Sequence, residues 1–427
     1  MAQGTGAESY GRSQHDATAA SITEVLHDVT QNLSDCLKRL EQLGPGLAGS
    51  IHHEHYLPDW SNTRHAAQAV DTLHKIQVLL DPPVLVLADH FLGYTRTQCL
   101  CAAVQSGIPD SLDNRTMTLD ELAKATNSRS DRLGQILRIL CNSGIFSLDE
   151  ASGQYSNTPA SLLLRSNHWT QWHNWVQLYG TQFYDIARGI QASIRKGTVR
   201  SAAQINYDTD DNMFSFFHSQ GWVPELHRTL GGGAAAQMPG VLEDYPWDEV
   251  ADGLVMDIGG GGGAFITGLL RRFPTMQGGI FDLSHVIDHV RGFFQAEGQY
   301  ADIGNRVQQQ NLIAGDFFKS IPQCKVYTMK WCLHDWRDPQ VVEILTKIRE
   351  SIILGPQSRL IVLESNLSNE HSDRLSVYGD INMMMTANGQ ERTERQWKDL
   401  AESSGWKVMK VWDLRRAWVK AMDFRPL

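Results

Sequence analysis

Residues 253-GLVMDIGGGGGAF-265 run from an apolar strand through an acid into five consecutive glycines, and an amphipathic stretch from Phe265 to Phe273 follows. A strand that feeds a turn without side chains and then a helix lets a nucleotide-like ligand touch backbone where any Cβ would collide. Gly259, Gly261 and Gly263 approximate the dinucleotide fingerprint, which alone does not separate one nucleotide cofactor from another. Asp282 closes the next apolar run, 278-GGIFDL-283, and lies 23 residues beyond Gly259, where a carboxylate can accept both hydroxyls of a ribose. No Gly-Lys-Ser/Thr follows the glycines, which excludes a Walker-type phosphate loop.

Outward from this turn, strands alternate with helices to the C-terminus. The predicted strands are 254-LVMDI-258, 278-GGIFD-282, a run around Val307 to Ile313, 325-KVYTMK-330, 359-RLIVLES-365 and 406-WKVMKVWDL-414. That alternation predicts an α/β fold, a Rossmann-like doubly wound parallel sheet over residues 251–427. Ligands bind at the carboxyl ends of such strands, which singles out Asp257, Asp282, Asp316, Phe317, His334, Asp335 and Glu364. In 315-GDFF-318, Asp316 can accept from an exocyclic amine while Phe317 stacks on a purine; a helix cap is the plainer use of the same aspartate.

Upstream, residues 1–83 form an extension expected to be disordered to about Ala19 and helical from Ser21 to Leu43 and from Thr63 to Leu80. His52, His53 and His55 crowd one segment, yet beyond Glu54 no cysteine or carboxylate cluster completes a metal site. From 84 to 165 the pattern is a winged helix. Thr118 and Glu121 make a capping box, Leu133, Ile136, Leu137 and Leu140 share one helical face, Gly144 ends that helix, and 145-IFSLDEASGQYSNT-158 reads as two strands around a turn. Its second helix offers little basic surface, so packing or dimerisation is favoured over DNA binding. Residues 166–250 are helical and aromatic. Most of these aromatics belong in a core, but Trp175 and Phe183 are candidates to face a small planar substrate. Gly231 to Gly233 reads as a flexible joint or a closely packed helix start.

A net charge of −10 with no Lys/Arg-rich run speaks against a nucleic-acid partner. The six cysteines show no paired metal spacing and read as free thiols of a reducing compartment. No apolar leader or membrane-length apolar run is present, so a cytoplasmic protein without membrane attachment is expected.

Taken together, 255-VMDIGGGGG-263, 281-FDL-283, 315-GDFF-318, 329-MKWCLHDWRD-338 and 389-GQERT-393 closely resemble the class I O-methyltransferases of the plant caffeate and fungal polyketide type. The resemblance covers roughly Val84 to the C-terminus. It implies S-adenosylmethionine as cofactor, S-adenosylhomocysteine as product and no metal. It further implies a homodimer through the N-terminal half, and linking helices that build the pocket of a small-molecule substrate. By resemblance, His334 is the catalytic base flanked by Glu364 and Glu391. Asp257, Gly259, Gly261, Asp282, Asp316, Phe317, Lys330 and Trp331 lie at the cofactor, Trp331 against its adenine. Met383 and Met384 are plausible pocket lining beside Trp175 and Phe183.

The chemistry is coherent. Methyl transfer from a sulfonium is an in-line displacement that needs an oxyanion, and a phenol of pKa about 10 is mostly protonated at neutral pH. A histidine poised near 7 can take that proton as attack occurs, oriented by a carboxylate. The expected activity is therefore O-methylation of a phenolic or enolic hydroxyl of a secondary metabolite. The main alternative is a pericyclase on the same fold, catalysing a cycloaddition or dehydration with the sulfonium as a fixed charge. A winged-helix regulator lacks the basic face, and an NAD-dependent oxidoreductase leaves Gly-Asp-Phe-Phe and Leu-His-Asp-Trp unexplained.

Overall fold

The computed structural model describes the backbone of residues 6–53 and 56–427, with side chains from residue 21 onward apart from 45, 48, 54 and 55. Two compact units result, Met1–Arg64 and His65–Leu427. In the first, one helix runs from Gly6–Leu43 and a short one from Pro45–Ile51. The expected disorder up to Ala19 falls partly outside the described residues. From Gly6 the chain is helical, so the helix starts before Ser21; Ala7, Ala17, Ala19 and Ala20 are strong helix formers. Glu54 and His55 also lie outside the described residues.

In the second unit, three strands, β1 (Met117–Thr118), β2 (Phe146–Asp149) and β3 (Gln154–Asn157), form a small antiparallel sheet in the order β1-β3-β2. The short strand before the Thr118 cap joins the two expected ones. Thr118 and Glu121 form the capping box that opens the helix Leu119–Ala125, and the helix Ser130–Asn142 buries Leu133, Leu137 and Leu140. Gly144 takes a φ of +73°, the left-handed conformation that ends a helix at little cost only for glycine. All six cysteines are free.

Seven strands make the main sheet: β4 (Leu254–Ile258), β5 (Gln277–Asp282), β6 (Leu312–Ala314), β7 (Val326–Lys330), β8 (Arg359–Glu364), β9 (Trp406–Trp412) and β10 (Lys420–Pro426), in the order β6-β5-β4-β7-β8-β10-β9. The first five are parallel, but β10 runs antiparallel to both β8 and β9. The expected all-parallel sheet is thus corrected to a mixed one. The last strand returns through a short loop rather than a helical crossover, which forces the reversed direction. Alternation along each strand divides the core. Val255, Ile280, Val326 and Ile361 pack with the helices Ala264–Arg272 and Ser284–Arg291. Met256, Phe281, Tyr327 and Leu360 pack with Asp338–Ser351 and Glu394–Ser403. On this second face Val341, Ile344, Leu345 and Ile348 are fully buried, and truncating Ile344 to alanine would cost about 2–5 kcal/mol.

The glycine cluster 231–233 is neither a joint nor a helix start. It lies inside the helix Val223–Asp244, where a Cβ at Gly232 would stand 2.5 Å from the Thr170 carbonyl oxygen and one at Gly233 2.5 Å from Trp175 Cζ2. Close packing, one of the two expected readings, requires Gly232 and Gly233, whereas a Cβ at Gly231 would meet nothing within 4 Å. Among the described residues no helix is long and apolar enough to cross a membrane.

Candidate active site

The parallel strands deliver their carboxyl ends to one edge, where the glycine turn begins. Gly259, Gly261 and Gly263 adopt φ values of +68°, +53° and +77°. A Cβ at Gly259 would lie 3.0 Å from Cys332 Sγ, and one at Gly260 would lie 2.8 Å from Asp257 Oδ2. At Gly261 and Gly262 a Cβ would meet nothing within 4 Å, so this part of the turn faces open space. The Gly261 N–H donates to Asp282 Oδ2 at 2.9 Å and the Leu283 N–H to Oδ1 at 2.7 Å, which ties the turn to the end of β5. Burial raises the pKa of Asp282 and pushes that of Asp257 up to about 7, although Thr328 Oγ1 donates to Asp257 Oδ1 at 2.8 Å.

Lys330, at the end of β7, is pushed down to about 8 by burial, against the pull of Glu364 and Asp257. The Cys332 thiol between these groups is held well above its ordinary range by burial and by the negative charges of Asp335, Glu364, Asp282 and Asp257. A cleft with side-chain-free backbone, carboxylate acceptors and a negative field fits a cationic sulfonium that carries a ribose. Asp257, Gly259, Gly261, Asp282 and Lys330 would hold it.

Asp316 caps a turn, accepting from the Phe318 N–H at 3.0 Å and pairing with Lys319 at 3.3 Å. Phe317 stands edge-on to Trp336 at 5.9 Å and packs on the second core face. Trp331 adopts a φ of +50°, with Lys330 Nζ 3.7 Å from its ring centroid and Trp418 stacked on it at 5.5 Å.

His334 sits in a short turn, Leu333–Asp335, directly after β7 and is buried. Its Nδ1 lies 2.9 Å from Glu391 Oε1 and 3.4 Å from Glu364 Oε2. Among the described residues, Nε2 has Asp335 Oδ1 within ion-pair reach, at 3.9 Å. Glu364, at the end of β8, also accepts from the Cys332 and Leu333 N–H groups at 2.9 and 2.8 Å, so one carboxylate shapes the histidine turn and faces the ring. The 389-GQERT-393 segment clasps the turn from the other side. Gln390 N–H donates to the His334 carbonyl at 2.8 Å, and the fully buried Arg392 donates to the carbonyls of Leu333 at 3.3 Å and Trp336 at 2.6 Å. A Cβ at Gly389 would stand 2.0 Å from the His334 carbonyl oxygen, so only glycine fits there.

Burial disfavours the imidazolium, but Glu364, Glu391 and Asp335 together outweigh it and push the pKa of His334 up to about 10. The histidine is therefore not poised near 7 as expected from its unperturbed value; two buried carboxylates at one nitrogen hold the proton on. Burial raises Glu364 to about 7 despite the adjacent imidazole. The donor atoms of His334, Glu364 and Glu391 lie within 4.8 Å of one another, close enough for a cation. With Nδ1 committed to Glu391, the imidazole is ion-paired.

The candidate substrate residues are spread along the helices nearby. Trp175 lies against Gly233 and stacks on Tyr179 at 5.5 Å, while Phe183 is buried in the helical core, stacked on Tyr179 at 4.7 Å. Met383 and Met384 are half-buried on the helix Leu375–Thr386, and Met384 packs on the same core. Three features had no legible signal: Asp380, whose Oδ1 accepts from the Glu391 N–H at 2.9 Å; Asn382, which donates to the Tyr179 hydroxyl at 3.0 Å; and Trp418.

Residues 238–407 match the O-methyltransferase domain family, and residues 88–167 match the O-methyltransferase dimerisation domain. The chain is 56% identical to the O-methyltransferase aclM of Aspergillus oryzae, with 89% of each chain covered. It is 48% identical to the O-methyltransferase verK of Clonostachys rogersoniana over 84% of this chain and 89% of that one. Among solved structures, CalO1, a methyltransferase in calicheamicin biosynthesis in its SAH-bound form, superposes with a TM-score of 0.70 at 23% identity, covering 81% of this chain and 98% of that one, a likeness of fold.

Proposed function

The chain belongs to the O-methyltransferase family, and from that premise we propose that it moves a methyl group from S-adenosylmethionine to a phenolic or enolic hydroxyl of a small secondary metabolite, with His334 as general base. The observation that carries this reading is the pinning of His334 Nδ1 by Glu391 and Glu364 on the same sheet edge as the glycine turn. The cofactor, when bound, supplies an electrophilic methyl carbon on a sulfonium and leaves as S-adenosylhomocysteine.

The protein's own residues do the rest. Asp282 accepts from ribose hydroxyls, Gly259 and Gly261 give close backbone approach, and Asp257, Lys330, Asp316, Phe317 and Trp331 complete the cofactor wall. His334 Nε2 takes the hydroxyl proton, while Glu391 and Glu364 stabilise the imidazolium that results. A histidine raised to about 10 matches a phenol of pKa about 10, so proton transfer between them is nearly balanced. The same shift makes the free base scarce at neutral pH, so the rate climbs with pH. Trp175, Phe183, Met383 and Met384 offer apolar surface to the acceptor. The match to a dimerisation domain over residues 88–167 supports a homodimer through the N-terminal half.

Incubation of the purified protein with methyl-labelled S-adenosylmethionine and a panel of phenols tests the reading. Label in a phenolic product is expected. Cofactor binding without transfer to any member contradicts it and returns the pericyclase reading.

A further inference from the structure

Trp331 holds a conformation that costs a non-glycine residue about 1–2 kcal/mol, and it does so beside Lys330 and Cys332 in the cofactor cleft. Its indole stacks at 17° on that of Trp418, from the loop between β9 and β10. Trp418 in turn meets Trp172 at 5.4 Å and Trp175 at 5.8 Å, and Trp175 continues through Tyr179 to Phe183. One indole thus joins the cofactor end of β7 to the helix Trp172–Gly180, which carries a proposed substrate residue.

The loop that carries Trp418 is pinned on two sides. Arg415 pairs with Asp244 through its backbone N–H at 2.7 Å and its guanidinium at 2.6 Å, and a Cβ at Gly240 would stand 1.9 Å from the Arg415 carbonyl oxygen. On the other side Ser365 Oγ, next to Glu364, donates to the Trp418 carbonyl at 3.2 Å. With the loop backbone anchored, close packing passes a change at Trp331 on through the Trp418 ring rather than into the loop.

We propose that Trp418 is a positioning residue that transmits occupancy of the cofactor cleft to the helix Trp172–Gly180, ordering the substrate side once the cofactor is in place. This rests on the cofactor assignment above. A ligand that orders Trp331 removes motion from every ring packed in series with it, so the second ligand meets an ordered wall. No motif points to this residue, because Trp418 lies in the short loop between β9 and β10.

Hydrogen–deuterium exchange of the full-length protein with S-adenosylhomocysteine as sole ligand tests this. In the wild type, saturation is expected to slow exchange in 254–263 and, by roughly five-fold or more, in 172–180. Trp418→Leu should keep the slowing in 254–263 and lose it in 172–180, and Trp418→Phe, which keeps a ring, should restore it. Slowing of 172–180 in Trp418→Leu equal to the wild type overturns the inference. So does a wild type protected in 254–263 but not in 172–180, a result that stands even where Trp418→Leu does not fold. Failure of the wild type to bind S-adenosylhomocysteine overturns the cofactor assignment itself, and this inference with it.

Discussion

Glu391 Oε1 stands 2.9 Å from His334 Nδ1, and the Glu391 backbone is itself held by Asp380 and by the neighbouring Arg392 clasp. The proposed base is thus fixed by Glu364 at the end of β8 and by the segment after the helix Leu375–Thr386. Its proton affinity is a property of that assembly rather than of the imidazole.

The pH dependence of methyl transfer follows from the raised pKa. With His334 near 10, kcat/KM should rise from pH 7 into the alkaline range. Glu391→Gln removes one of the carboxylates that raise it, so the rising limb should move to lower pH while the maximal rate falls. A Glu391→Gln profile that overlays the wild type would contradict the assignment.

Stability should carry the same signature. His334 has a folded pKa above its unfolded value of about 6.5, so its contribution is fully present below about 6.5 and is lost as pH rises through about 10. Because Glu364 is coupled to His334, thermal unfolding from pH 6.5 to 10 should show Glu364→Gln losing more Tm than Glu364→Gln/His334→Gln, two proteins that both lack that carboxyl. Comparing the two proteins cancels the opposite trend from Lys330, whose lowered pKa adds stability as pH rises.

Gly389→Ala places a Cβ against the His334 carbonyl. Overpacking of this kind costs about 1–3 kcal/mol, and a shift of the base by as little as 1 Å costs roughly 100-fold in rate. Cofactor affinity measured by calorimetry should stay near the wild-type value, since the glycine turn is untouched.

Two adjacent glycines separate ligand space from packing. Gly261→Ala adds a Cβ with no protein neighbour within 4 Å, so it should cost only the left-handed strain of about 1–2 kcal/mol while raising the cofactor Kd at least about ten-fold. Gly260→Ala drives into Asp257 and should lower Tm more. Equal cofactor affinity in Gly261→Ala and the wild type would remove the cofactor from that side of the turn.

Much of the site edge was legible because one physical rule connects it: strand, turn, then a polar residue at each carboxyl end. Asp257, Asp282, His334 and Glu364 follow from it. Strand β10 was missed because 420-KAMDFRP-426 breaks alternation at Ala421-Met422 and ends in proline, and because its buried Asp423 pairs not only with the local Arg425 at 3.0 Å but with the distant Arg359 at 3.6 Å, a partner no local pattern reveals. In sequence, close packing at Gly232 and Gly233 is one of two open readings, because the neighbours that decide it, Thr170 and Trp175, are some 60 residues distant. Asp380 and Trp418 carry no local signature for the same reason. The histidine's pKa was unreadable because it depends on two carboxylates converging on one nitrogen.

The most direct test of His334 as base is single-turnover methyl transfer by His334→Ala beside the wild type, with the S-adenosylmethionine Kd measured on both. A loss of transfer of roughly 100-fold or more, with Kd within about two-fold, is the predicted result. Transfer at the wild-type rate by His334→Ala would contradict it.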